Sequence, residues 1–177
     1  MRSNAPITLT LMLLAAFFLA HSSIHAQTSP ATGPSAITIS GDGITSLTLS
    51  VADLEKMAQT TVHVVNPHSH KAEVYSGVPL DALLVKAGVP HGEAIRGKWM
   101  ATCVVASASD GYRVAFSLPE LDSAFLDSDV LVADRMNGAP IGADEGPLKL
   151  VAPRDKRPAR WVRMLKSISV LRLPDQH

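Results

Sequence analysis

The 177-residue chain has a single cysteine, Cys103, so no intrachain disulfide can staple the fold and the core must hold by packing. With no C-x-x-C, paired-thiol redox or metal chemistry is excluded as well. Also missing are a Walker loop, the G-x-G-x-x-G of dinucleotide sites and the G-x-S-x-G of hydrolases. Charge of one sign is missing too. The 16 Lys and Arg balance 16 Asp and Glu, which leaves no global basic field for nucleic acid. Internal repeats are absent. The apolar run Ile7–Ala20 would span only about 21 Å as a helix, short of the roughly 30 Å of a bilayer core.

That run has the marks of a targeting segment. Arg2 precedes it in an acid-free start, and "HSSIHAQ" after it places Ala26 at a cleavage point. Residues 1–26 are expected to be a signal peptide, 27–36 a flexible linker and 37–174 one domain, exported to the periplasm and free of the membrane after cleavage. Ile24 fits the A-x-A rule poorly, which keeps an uncleaved anchor open. The roughly 150 remaining residues suffice for one domain burying about two-thirds of its unfolded-chain surface.

Charge is unevenly spread along that domain. Asp110–Glu145 holds eight acids and two bases, whereas Lys149–His177 holds eight bases and two acids. Five of the bases, Arg154, Lys156, Arg157, Arg160 and Arg163, fall within "RDKRPARWVR". Arginine forks suit phosphate oxygens, and a charge run can equally be a solvated face paired with the acidic stretch.

The local pattern predicts a mixed α+β domain. "AITIS" and "SLTLS" flank Gly41-Asp42-Gly43 as a hairpin, and Ser50 with Asp53 opens a short helix through Met57. "TTVHVVN" and "KAEVYS" are strand candidates. In "GVPLDALLVKAGV", Pro79 suits a first helical turn, Leu80, Leu83, Leu84 and Ala87 share one face, and Gly88 ends it. Lys98–Ala106 alternates apolar residues on both faces, as a doubly buried strand does. Ser117 and Glu120 are expected to cap another short helix, Asn137-Gly138 to turn a hairpin, and Trp161–Leu165 to be helical before a last strand.

The order of these pieces resembles the sulfite-oxidase-like family, the oxidoreductase molybdopterin-binding domain. The resemblance rests on "YSGVPLDALLVKAGV", then "SDGYRVAFSLPEL", then "MNGAPI", "GPLKLVAP" and "RWVR", and covers about Ile37–Leu173. It implies a mixed-sheet molybdopterin-binding fold, an oxidoreductase activity, molybdopterin as cofactor and a redox partner protein. In that family a cysteine thiolate binds molybdenum, on a strand end about a dozen residues before the glycine of "GVPL". Counted back from Gly77, that place holds Val65. A valine has no lone pair, so the resemblance brings no metal ligand to that place and does not carry molybdenum ligation or catalysis over to this chain. The alternative is a non-catalytic ligand-binding or partner domain that kept the fold.

The resemblance also implies a phosphate site near the C-terminal end, for which Arg154 and Arg160 are the first candidates, with Arg157 beside them. Asp110 and Tyr112 could line the same pocket, or be ordinary turn chemistry and sheet packing. The expected ligand is small and anionic or phosphate-bearing. His63, His68 and His70 could hold a metal only if the loop curls, and otherwise face solvent. Cys103 lies in an apolar run and reads as a small core residue. Trp99 and Trp161 read as core as well.

Overall fold

The computed structural model describes residues 35–66, 69–127 and 129–174. The expected signal peptide, most of the linker and His68 lie outside the described residues. Among those residues no helix is long and apolar enough to cross a membrane.

Strands β1 (Ala36–Gly41) and β2 (Leu47–Ser50) pair antiparallel around the glycine-rich turn, as the sequence predicts. Gly43, at φ 71°, supplies the left-handed conformation the turn needs. Helix α1 (Val51–Glu55) opens on the expected capping box. Ser50 Oγ accepts from the Asp53 N–H at 3.2 Å, and Asp53 Oδ2 accepts from the Ser50 N–H at 3.1 Å.

Strands β3 (Thr60–Val65) and β4 (Ala72–Pro79) form the next hairpin. β4 runs on through Gly77 to Pro79, where the sequence predicts helix. The reason is the close approach of β7 (Leu131–Met136), against which Gly77 pairs at a bulge. A Cβ on Gly77 would stand 2.1 Å from the Val132 carbonyl oxygen, so only glycine lets the two backbones meet. Helix α2 is therefore Leu80–Lys86, with Leu80, Leu83 and Leu84 buried and Gly88 left-handed behind it.

Three further expectations are corrected. Gly97–Ala101 is a 3₁₀ turn, and β5 begins only at Thr102, running to Ala108. Thr102 Oγ1 donates to the Lys98 carbonyl and closes that turn, while Met100 is exposed rather than buried. The short helix expected around Glu120 forms as a 3₁₀ turn at Pro119–Leu121, but Ser117 does not cap it, because it is the last residue of β6 (Arg113–Ser117), paired with Cys103. Trp161–Leu165 is not helical either. Val162 exchanges both backbone hydrogen bonds with Leu150 in β9 (Lys149–Val151), and this bridge holds the segment extended after a 3₁₀ turn at Pro158–Arg160. The β7–β8 (Ala139–Pro140) hairpin forms at Asn137-Gly138 as expected.

Two sheets result. One has the order β2-β1-β10-β5-β6, with β10 spanning Leu165–Arg172 and pairing parallel to β1. The other is β3-β4-β7-β8, with β9 also on β7. The main core, which includes Ile37, Leu83, Val104, Phe116, Val132 and Ile168, draws on both sheets and α2. A smaller apolar cluster holds Val62, Tyr75, Leu131, Ala133, Ile141 and Val151 on the second sheet. Trp161 packs against both, so the basic segment is pinned where it crosses the second sheet.

Candidate functional site

β9 ends at Val151, and the chain then passes through the basic segment before bridging back at Val162. Trp161 anchors this excursion. Its Nε1 donates to the Ala152 carbonyl at 2.9 Å, and its ring meets Tyr75 edge-on at 5.7 Å between centroids. Around this one indole lie three recesses, of about 330, 200 and 210 Å³. Trp161 is thus more than the core residue its sequence context suggests.

The largest of the three is lined by Asn66, Glu73, Glu145, Lys149, Trp161 and Arg163, with Pro158 at its edge. Lys149 is the unexpected member. Its position in the apolar strand "GPLKLVAP" carries no charge signal, yet its side chain is only 7% exposed. Its Nζ donates to Glu145 Oε2 at 2.7 Å and to Tyr75 Oη at 3.0 Å, and lies 4.9 and 5.5 Å from the Tyr75 and Trp161 ring centres. Tyr75 Oη in turn donates to Glu73 Oε2 at 2.9 Å, and Asn66 Nδ2 donates to Glu73 Oε1 at 2.8 Å. Two carboxylates therefore share one buried ammonium. Burial, then the hydrogen bond to Glu73, pushes the Tyr75 phenol well above the ordinary tyrosine range.

The arginines singled out in the sequence stand elsewhere. Arg160 gives its fork to Asp155, at 2.9 and 2.7 Å, and its third nitrogen to Glu120 at 2.7 Å. Its guanidinium also lies 4.4 Å from the Phe116 ring centre. The hydrogen bond to Asp155 is the main reason its pKa is raised further. Arg154 pairs with Asp129 at 3.0 Å. Both line a cavity of about 340 Å³ whose floor includes Phe116, Val130 and Ala152, together with four carboxylates: Glu120, Asp127, Asp129 and Asp155. Arg157 is exposed and lines none of these cavities.

Of the other candidates, Asp110 and Tyr112 share the recess of about 210 Å³ with Trp161 and Arg163. Their turn chemistry is also present: Asp110 Oδ1 accepts from the Tyr112 N–H at 2.9 Å, and the Tyr112 hydroxyl donates to the Ala159 carbonyl. His63 and Val65, at the exposed end of β3, line the recess of about 200 Å³ with Lys156 and Trp161. His70 is exposed in the loop at φ 55°. No group of three or more His, Cys, Asp or Glu among the described residues is placed to hold a metal ion. Cys103 lies in the other sheet, opposite Ser117 and Leu171, and lines none of the four cavities.

Residues 26–177 match the oxidoreductase molybdopterin binding domain. The chain belongs to that family. A comparison with curated proteins finds no match. Among solved structures, this molybdopterin-binding-domain chain is similar to the sulfane dehydrogenase SoxCD from Paracoccus pantotrophus, with a TM-score of 0.60 at 19% identity. The match covers 77% of this chain and 38% of that one, so this domain spans well under half of the SoxCD chain. That likeness shows the shared mixed-sheet fold.

The two ends of a molybdopterin cofactor fare differently against these residues. For its phosphate, Lys156 and Arg163 flank Trp161 and make no ion pair with a described residue, whereas Arg154 and Arg160 are engaged by carboxylates. For its metal, the recesses around Trp161 offer no thiolate, because Cys103 lies in the other sheet. The residues fit an anion and do not fit a thiolate-ligated molybdenum.

Proposed function

We propose that this chain is a small-ligand-binding member of the molybdopterin-binding-domain family that carries out no molybdenum chemistry of its own. Its ligand is small and carries an anionic or phosphate group, held by Lys156 and Arg163 on either side of Trp161. The observation that carries this reading is the contrast between occupied and free guanidinium groups. Arg160 has three carboxylate contacts, while Arg163 lines two of the recesses without an ion pair to a described residue. Val65, taken by family resemblance to stand where the metal-binding cysteine would be, supports the loss of metal chemistry. The N-terminal apolar run supports export to the periplasm.

The family assignment favours a second reading, a molybdopterin-dependent oxidoreductase served by a redox partner protein. Elemental analysis and pterin fluorescence on protein purified from its own compartment separate the two. The expected result is molybdenum far below one atom per chain; one atom per chain establishes the second reading. The anion site is tested by calorimetric titration with inorganic pyrophosphate at fixed ionic strength. A hydrogen bond to a charged partner is worth about 1.5–3 kcal/mol, so Arg163→Gln should weaken binding by at least about tenfold. Equal affinity of Arg163→Gln and the parent would overturn the assignment of Arg163.

A further inference from the structure

The cavity of about 330 Å³ beside Trp161 holds more than an anion site, and its charges do not all cancel internally. Glu73 and Glu145 share the single ammonium of Lys149, Glu145 directly and Glu73 through the Tyr75 hydroxyl. The other bond to Glu73 comes from Asn66, a neutral amide, and Glu73 makes no salt bridge with a described residue. One negative charge is therefore left over on this wall. Arg163 lines the same cavity with one positive charge left over, and it does not pair with either glutamate. Two uncompensated charges of opposite sign thus face one recess without meeting.

We infer that this cavity takes a short zwitterion of the α-amino-acid class, its ammonium on Glu73 and Glu145 and its carboxylate on Arg163. Such a ligand neutralises both leftover charges at once, which neither a simple anion nor a simple cation does. A volume of about 330 Å³ lies at the low end of ligand pockets, roughly 300–1,000 Å³, and suits a molecule of that size. The wall is preorganised for it. The Lys149 ammonium, caged by two aromatic rings, holds the turn that carries Glu145 directly and the start of β4 that carries Glu73 through the Tyr75 hydroxyl. Discrimination should be sharp, because a ligand lacking one charged group leaves a polar partner in the cavity unpaired. This inference rests on the anion-binding role of Arg163 proposed above.

The test is a thermal-shift survey of the full chain with each of the common α-amino acids, followed by calorimetry on the strongest binder. That amino acid is then compared with its decarboxylated amine and its deaminated acid. The expected result is that the amino acid binds at least about tenfold more tightly than either half. Arg163→Gln and Glu73→Gln should each remove at least about tenfold in affinity, and Arg163, exposed on the surface, can be replaced without disturbing folding. No stabilisation by any amino acid overturns the inference. Equal binding of the deaminated acid also overturns it, while leaving the anion site standing. Equal binding of the amine alone overturns it too, and overturns the anion site as well only if pyrophosphate affinity is also unchanged in Arg163→Gln. Retained pyrophosphate affinity with no amino-acid binding sinks this inference only.

Discussion

Lys149 Nζ lies 3.0 Å from Tyr75 Oη and 4.9 Å from the centre of the same ring, so one phenol both accepts its hydrogen bond and shields its charge. The two residues come from strands that are not neighbours in their sheet, since β7 lies between β4 and β9. Their contact ties the cavity wall to the second sheet. Lys149→Met keeps most of the side-chain volume but leaves Glu145 and the Tyr75–Glu73 pair without their ammonium. A buried group losing a charged hydrogen-bond partner costs about 1.5–3 kcal/mol, so denaturant unfolding should show a loss of about 2 kcal/mol. A variant as stable as the parent would mean that the network is energetically neutral.

Asp134 gives the stability of this protein a distinctive pH dependence. It is 4% exposed in β7, and neither carboxylate oxygen accepts a hydrogen bond from a described residue. Burial, the largest influence, raises its pKa above the usual value near 3.8, against the opposing pull of Arg135. The folded state therefore holds this proton more tightly than the unfolded chain does. The contribution is fully present below pH 3.8 and is lost as pH rises through the folded pKa. Relative to the parent, Asp134→Asn should gain stability as pH rises from about 4 toward neutrality. Urea titrations at several pH values read this directly, and parallel profiles would refute it.

Arg160 should behave as a structural residue. Arg160→Ala removes three carboxylate contacts and the packing on Phe116, leaving Asp155, with only 18% of its side chain exposed, unpaired. Because the Arg160 side chain is itself 39% exposed, the expected cost is about 1–2 kcal/mol rather than that of a fully buried pair. Pyrophosphate affinity should stay within about twofold of the parent, against the loss of about tenfold expected for Arg163→Gln. Unchanged melting together with lost pyrophosphate binding would return Arg160 to the anion site.

Gly77 sets the register on which the cavity depends. Gly77→Ala would drive a methyl against the Val132 carbonyl oxygen and the Ala133 Cα, both backbone atoms that cannot rotate away. Overpacking typically costs about 1–3 kcal/mol, and with no side chain to yield this substitution belongs at the upper end. Loss of the β4–β7 amides from the slow hydrogen-exchange class is the expected signature. A variant with the parent's melting temperature and exchange pattern would show that the strands can separate without penalty.

Features legible in the chain alone are local ones. The Gly41-Asp42-Gly43 and Asn137-Gly138 turns, the Ser50–Asp53 capping box and the apolar face of α2 each depend on residues at most a few positions apart, and each forms. The motifs between Tyr75 and Arg163, taken in order, sufficed to point to the family. The first helical turn at Pro79, the cap at Ser117 and the helix over Trp161–Leu165 gave way where another strand claimed the backbone, as β7 does at Pro79, β5 at Ser117 and β9 at Val162. The roles of the charges were decided only by tertiary structure. Five bases in one short segment look equivalent in sequence, but Arg160 meets Glu120 from 40 positions away and Arg154 meets Asp129 from 25, while Arg163 and Lys156 find no such carboxylate among the described residues. Lys149, in an apolar strand, becomes the centre of the cavity wall because Tyr75, 74 residues earlier, is brought against it. Turns and caps are settled by backbone dihedrals within a few residues. Which charge is left free depends on where the whole fold places its partners, because a carboxylate must approach within a few ångströms to compensate it.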